Sequence, residues 1–430
     1  VAVALLLASV FGSVLVAEAA LRAFPPRVAG FSFTTAEADS ICPGEWRNRA
    51  GCLAAAAADS PFDRRTTLDV IRDFEAQGIE AWPSIDASHY VDSDNAIEIE
   101  GSAIVSLSPG LPGVLTVFCN ESGDWITYVA DEYGFNNPPA SHRPGEVDVA
   151  IVGDSFVHGW CAPFEQTLVG RIRQGDSTKL VLGVGLEGSG PLTQLGIERE
   201  YLEPLRPATV VWLFFEGNDL RDLSRDLTNE LLPRYLDRGF HQGLRDLGFP
   251  LEQALRERIA GLRIEEEVKA ASAREQRESA RRRRESVGGW MRLTELRTRL
   301  KDLGRSRKLA HPYDPALFDQ IASRMRDDVA AWDGTLLFAY LPSRRRFEDP
   351  TAANPHRADI LARVRALGIP AVDLFEPLAA HPDPLSLYPF RVENHFTAEG
   401  YDLLARTLQD SIVRISSRSV EVRTRTVENE

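Results

Sequence analysis

The chain has 430 residues, 43% of them hydrophobic, and a formal charge of −14 at neutral pH. That length supports one large domain with a smaller companion, and the negative charge excludes nucleic acid as the main partner, because phosphate recognition needs clustered cations. The charge is unevenly spread. Residues 251–310 carry 17 Lys and Arg against 10 Asp and Glu, a local +7 that leaves −21 for the rest.

Val1–Ala17 holds no charge and no proline, and Glu18 is the first ionisable side chain. As a helix this run spans about 26 Å, close to the thickness of a bilayer's hydrocarbon core. Residues 1–22 are therefore expected to be a membrane anchor or an export signal, the anchor favoured, with Ala17-Glu18-Ala19 as a candidate cleavage site. Four cysteines fit an oxidising compartment. Cys42 and Cys52 flank a loop that a disulfide is able to close, whereas Cys119 and Cys161 are less clearly paired. There is no CxxC or HExxH and the eight histidines are scattered, so no metal is expected.

Residues 28–145 are rich in Gly, Pro, Ser and Asp, with short strand-like runs at Ile104–Leu107, Val114–Phe118 and Trp125–Val129. They read as a small β-containing lead-in packed on the main domain. From Val147 the rhythm changes to strand–helix alternation. Strands are expected at Val147–Val152, Lys179–Val184, Thr209–Phe215, Thr335–Tyr340 and Ala371–Phe375, and a last helix over Thr397–Ile415. This predicts a three-layer α/β/α domain over 146–416 with a parallel five-stranded sheet, and ligands bound beyond the carboxyl ends of the strands. Residues 220–311 form a charge-dense helical insertion containing Arg281-Arg282-Arg283-Arg284. It reads as a solvated helical hairpin, with a lid or arm touching anionic lipid or acidic glycan as the alternative. Residues 417–430 read as a polar tail.

Three segments carry chemistry. Gly153-Asp154-Ser155 ends a buried strand in a small-residue turn, Gly217-Asn218-Asp219 closes the third strand, and His395 opens the last helix. A hydroxyl, an amide donor and an imidazole are the set needed to attack an ester. A serine hydroxyl is a poor nucleophile until a base takes its proton, and imidazole does so near neutral pH. His158, three residues after Ser155, is too local to the turn to be well aimed and reads as a packing or surface histidine. The Asn218 amide either faces an oxyanion or caps the next helix, a task that Asp219 meets as well.

In this order the motifs resemble the SGNH (GDSL-type) hydrolase family across roughly residues 147–415. The resemblance is carried by Val152-Gly153-Asp154-Ser155-Phe156, Gly188-Ser189-Gly190-Pro191, Gly217-Asn218-Asp219 and Glu393-Asn394-His395-Phe396. It implies a flavodoxin-like sheet, Ser155 as nucleophile, Gly188 and Asn218 as oxyanion donors, His395 as base, and no cofactor. Two departures stand out. Val392 occupies the position of the usual orienting Asp, so Glu393 is expected to orient the imidazole. Gly183-Val184-Gly185 replaces the Asn common before the second block. The stretch from Cys119-Asn120-Glu121 to Asn137-Pro138 is similar to uncharacterised membrane-anchored bacterial members of the group.

With the apolar start, the resemblance implies an inner-membrane protein whose catalytic domain faces the periplasm. The implied activity is hydrolysis of O-acyl esters on cell-envelope polysaccharide or lipid through a Ser155 acyl-enzyme. An O-acyltransferase with the same residues and a non-catalytic scaffold or glycan-binding protein are the alternatives. Gly183–Gly188 also matches the GxGxxG of dinucleotide sites. It lies on the second strand, Pro191 follows closely, and a dinucleotide reading leaves Ser155, Asn218 and His395 unexplained.

Overall fold

Five apolar runs build the central sheet: β1 (Val147–Gly153), β2 (Leu180–Gly185), β3 (Thr209–Phe215), β4 (Thr335–Leu341) and β5 (Ala371–Asp373). Their order is β5-β4-β3-β1-β2 and every neighbouring pair is parallel. The expected α/β/α sheet is thus present, each expected strand within two residues of its observed ends. This computed structural model describes residues 9, 12–20, 27–28, 31–32, 41–42, 49–92, 96–284, 313–349 and 354–427.

Side chains on a strand alternate between faces, so each apolar run supplies two layers. Ala150, Val152, Val210, Trp212 and Phe214 face one core together with Phe318, Ile321 and Met325 of α6 (Pro315–Ala331). Val149, Ile151, Val211 and Leu213 face the other, against Leu168 and Ile172 of α2 (Leu168–Gly175) and Tyr401, Leu404 and Leu408 of α8 (Ala398–Val427). The chain moves outward from β1 to β2, then returns to place β3 on the other side of β1. Loops leaving β1 and β3 therefore diverge, and a crevice opens at their carboxyl ends.

The lead-in forms its own three-stranded sheet from Ala81–Pro83, Leu115–Cys119 and Ile126–Val129, with helices at Arg49–Ala57 and Thr67–Ala76. It is bound tightly to the main domain. The Asn137 side chain accepts from Gly183 N at 3.0 Å and donates to Gly183 O at 2.8 Å, satisfying an edge position of β2. Cys42–Cys52 and Cys119–Cys161 are both disulfides, and the second joins the lead-in to the loop after Ser155.

Helix α5 (Gly248–Arg284) of the insertion corrects the expectation of a solvated hairpin, at least in its first half. Leu251, Leu255 and Ile259 recur at helical spacing and are buried. On the same helix Arg263 pairs with Glu75 at 2.9 Å and Glu267 with Arg72 at 2.8 Å, and Arg256 pairs with Glu80. The guanidinium of Arg263 also lies 5.3 Å above the Trp82 ring. The side chains of Arg281–Arg284 and residues 285–312 lie outside the described residues, as does most of the apolar run expected to be an anchor. Among the described residues, no helix is long and apolar enough to cross a membrane. Helix α8 runs on through residues 417–427.

Candidate active site

At the end of β1 the chain turns between two backbones. A side chain at Gly153 would come within 2.7 Å of Leu213 O, and one at Gly185 would overlap the backbone of His158. The glycines let the turn fit there. Asp154 then accepts from Phe156 N at 3.1 Å, capping the single-turn helix α1 (Ser155–His158), which Gly159 ends at φ 82°. This geometry presents Ser155 at the crevice.

Ser155 Oγ lies 2.8 Å from His395 Nε2 although 240 residues separate them in sequence. His395 Nδ1 faces a carboxylate at 2.9 and 3.0 Å, so Nδ1 carries the hydrogen and Nε2 is free to accept from the serine. The imidazole ring is packed against Phe156 and Trp160, at centroid distances of 4.7 and 5.6 Å. The serine, imidazole and carboxylate are thus in line for proton transfer.

That carboxylate belongs to Glu121 of the lead-in, not to Glu393. Glu121 Oε1 also accepts from Trp160 Nε1 at 3.1 Å, and the Cys119–Cys161 disulfide closes beside it. Glu393 turns the other way and accepts from Gly51 N at 2.6 Å, where a Cβ on Gly51 would overlap its Oε1. Burial, with repulsion from Glu121, pushes the Glu393 carboxyl up to about 8. Sequence proximity to His395 misled the expectation. The signal for Glu121 in the sequence was its place in the stretch that begins Cys119-Asn120-Glu121, which resembles relatives of the group without assigning the glutamate a role.

Gly188 and Asn218 stand in the loops that follow β2 and β3, the two strands on either side of β1, whose end carries Ser155. Gly188 adopts φ 67°, and its carbonyl accepts from Arg225. Asn218 precedes α4 (Asp219–Asp226) but makes no side-chain cap; its Nδ2 donates to Asp222 Oδ2 at 2.7 Å. The capping alternative therefore does not describe this amide. One N–H is held by Asp222, and the same amide also hydrogen-bonds Asp154 at the serine turn.

Beneath the serine, burial pushes Asp154 up to about 6 and Asp219 well above the usual carboxylate range. His158 is buried, sharing a 2.7 Å hydrogen bond with Tyr128 OH, and burial lowers it to about 3. It is a packing histidine. The dinucleotide alternative meets an obstacle at α3 (Pro191–Ile197): the N–H groups of Leu192 and Thr193 already donate to Asp226, at 3.1 and 3.0 Å. Those are the amides a pyrophosphate would need.

No protein-family model matches the chain, and comparison with curated proteins gives no match. Among solved structures, the chain is similar to a lipase/acylhydrolase from Enterococcus faecalis at 12% identity and TM-score 0.35, over 62% of this chain and 95% of that one. It is also similar to a GDSL-like lipase from Bacteroides thetaiotaomicron at 16% identity and TM-score 0.33, over 62% and 88% of the two chains. A third, a G-D-S-L family lipolytic protein from Desulfitobacterium hafniense, aligns at 13% identity and TM-score 0.33, over 61% and 97%.

Proposed function

We propose that this protein is a serine-dependent ester hydrolase of the SGNH type. The observation that carries the reading is the chain Ser155–His395–Glu121, assembled from three distant segments at the carboxyl ends of β1 and its neighbours. Ser155 Oγ attacks the ester carbonyl as its proton passes to His395 Nε2. The oxyanion is met by the backbone N–H groups of Ser155 and Gly188 and by the Asn218 amide. His395 returns the proton to the departing alcohol, which leaves an acyl group on Ser155. Water then attacks that acyl group, again losing a proton to His395, and releases a carboxylic acid and free serine. Throughout, Glu121 holds the Nδ1–H and stabilises the imidazolium.

The substrates proposed are O-acyl esters of cell-envelope polysaccharide or lipid. Two disulfides support an extracytoplasmic location, and the uncharged run Val1–Ala17 supports anchoring there. Fluorophosphonate labelling and p-nitrophenyl ester turnover across chain lengths test the reaction. Both are expected to be lost in Ser155→Ala and His395→Ala. Turnover retained by folded Ser155→Ala rules the mechanism out. A sugar hydroxyl that diverts the acyl group from water, in competition assays, would make the same site a transferase.

A further inference from the structure

The two segments expected to bind the oxyanion are joined by a polar chain that the proposed reaction does not use directly. Asn218 Nδ2 donates to Asp222 Oδ2 at 2.7 Å. The other oxygen of Asp222 lies 3.6 Å from Arg225 Nη2 and accepts from Arg221 Nε at 3.2 Å. Arg225 Nη2 in turn donates to the Gly188 carbonyl. Asp222 and Arg225 are spaced i, i+3 on α4, and Asn218 stands one turn before Asp222, so all three share a helix face. The run Asn218–Asp222–Arg225–Gly188 thereby spans the crevice from β3 to β2.

We propose that Asp222 and Arg225 are positioning residues that fix the aim of both oxyanion donors; this rests on the esterase reading above. A free carboxamide rotates about its last torsion and offers its hydrogens to water. With one hydrogen bound to a carboxylate that is itself buried, the plane of the Asn218 amide is set and the second hydrogen has a fixed direction. Gly188 is in the left-handed region, and the Arg225 bond to its carbonyl holds that local conformation. On its other side Asp86 Oδ2 would lie 3.0 Å from any Cβ, which leaves the glycine little room to be replaced. A carboxylate this near a developing oxyanion is unfavourable unless its charge is offset. Arg225 and Arg221 supply that offset, pulling back the rise that burial imposes on the Asp222 carboxyl. Donors fixed before the reaction contribute more to rate than donors that must reorient.

The test is a set of double-mutant cycles on p-nitrophenyl ester turnover. Asp222→Ala and Arg225→Met are each expected to lower kcat about 10- to 100-fold with KM changed less than about 3-fold. In an Asn218→Ala background, Asp222→Ala is expected to cost no more than about 3-fold further, because its direct hydrogen bond to a donor is already gone and only the 3.6 Å link through Arg225 to Gly188 is left. Arg225→Lys, which keeps a cationic donor, is expected to recover most of the loss. Asp222→Asn replaces Asp222→Ala if the latter does not fold. Wild-type kcat in the folded variants, or the full Asp222 factor persisting without Asn218, overturns the positioning role alone. No ester turnover and no fluorophosphonate labelling by the wild type overturns the esterase reading, and the positioning role with it.

Discussion

Replacing Glu121 by glutamine removes one charge and almost no volume, so it isolates what the carboxylate does for His395. In the resting site Glu121 accepts the Nδ1–H at 2.9 and 3.0 Å while Trp160 holds Oε1 at 3.1 Å. A hydrogen bond to a charged group contributes about 1.5–3 kcal/mol, and loss of that alone slows the reaction roughly 10- to 150-fold. A second effect adds to it. If Trp160 keeps the amide oxygen, the new NH₂ faces Nδ1 and favours the tautomer with hydrogen on Nε2, which is unable to accept from Ser155. Reversal of the tautomer raises the loss toward about 10⁴-fold. Glu121→Gln is therefore expected to lower kcat by about 10²- to 10⁴-fold, with KM nearly unchanged. Steady-state turnover of a p-nitrophenyl ester measures this, and circular dichroism confirms folding. The paired control is Glu393→Gln, expected to stay within about 3-fold of wild type. The reasoning is refuted if Glu121→Gln is near wild type and Glu393→Gln is the crippled variant.

Other consequences follow from the same geometry. The Glu393 carboxyl is raised to about 8, so the folded protein holds its proton between about pH 4.5 and 8 while the unfolded chain has lost it. This group's contribution to stability consequently falls as pH rises through that window. Denaturant titrations should show Glu393→Gln gaining stability relative to wild type at pH 8 compared with pH 5. For His158, lowered to about 3, the sign is opposite: the unfolded chain binds the proton first, and stability is lost as pH falls below about 6.5. His158→Phe should flatten that acid limb in thermal melts while leaving the pH profile of turnover intact; a shifted profile would instead make His158 a participant. The Cys119–Cys161 bridge closes a loop with a sequence separation of 42. Its removal as a Cys119→Ser, Cys161→Ser pair should cost roughly 4 kcal/mol on loop-entropy grounds. It should also lower kcat, because Glu121 lies two residues from the cut; thermal melts and turnover in the same sample separate the two effects.

The sheet was readable because a strand buried on both faces needs a continuous apolar run, and five such runs alternate with helices here. Ser155, Asn218 and His395 were readable for a related reason: each stands just after or before such an element, where a polar side chain has few structural duties. The imidazole's carboxylate was not readable in this way. Hydrogen-bond geometry is blind to chain distance, and Glu121 reaches His395 across 274 residues because the lead-in sheet packs its Phe118 against His158 and Trp160 and is tied to the same serine loop by a disulfide. Glu393, two residues from the imidazole, is aimed elsewhere by the helix that carries Gly51. The first half of the insertion behaves likewise, since its charges are answered by Glu75, Glu80 and Arg72 on a separate part of the chain. Local pattern determined which groups stand at the rim of the sheet. Only the packing of remote segments decided which of them touch, because contacts between segments depend on how surfaces fit and not on their order in the chain.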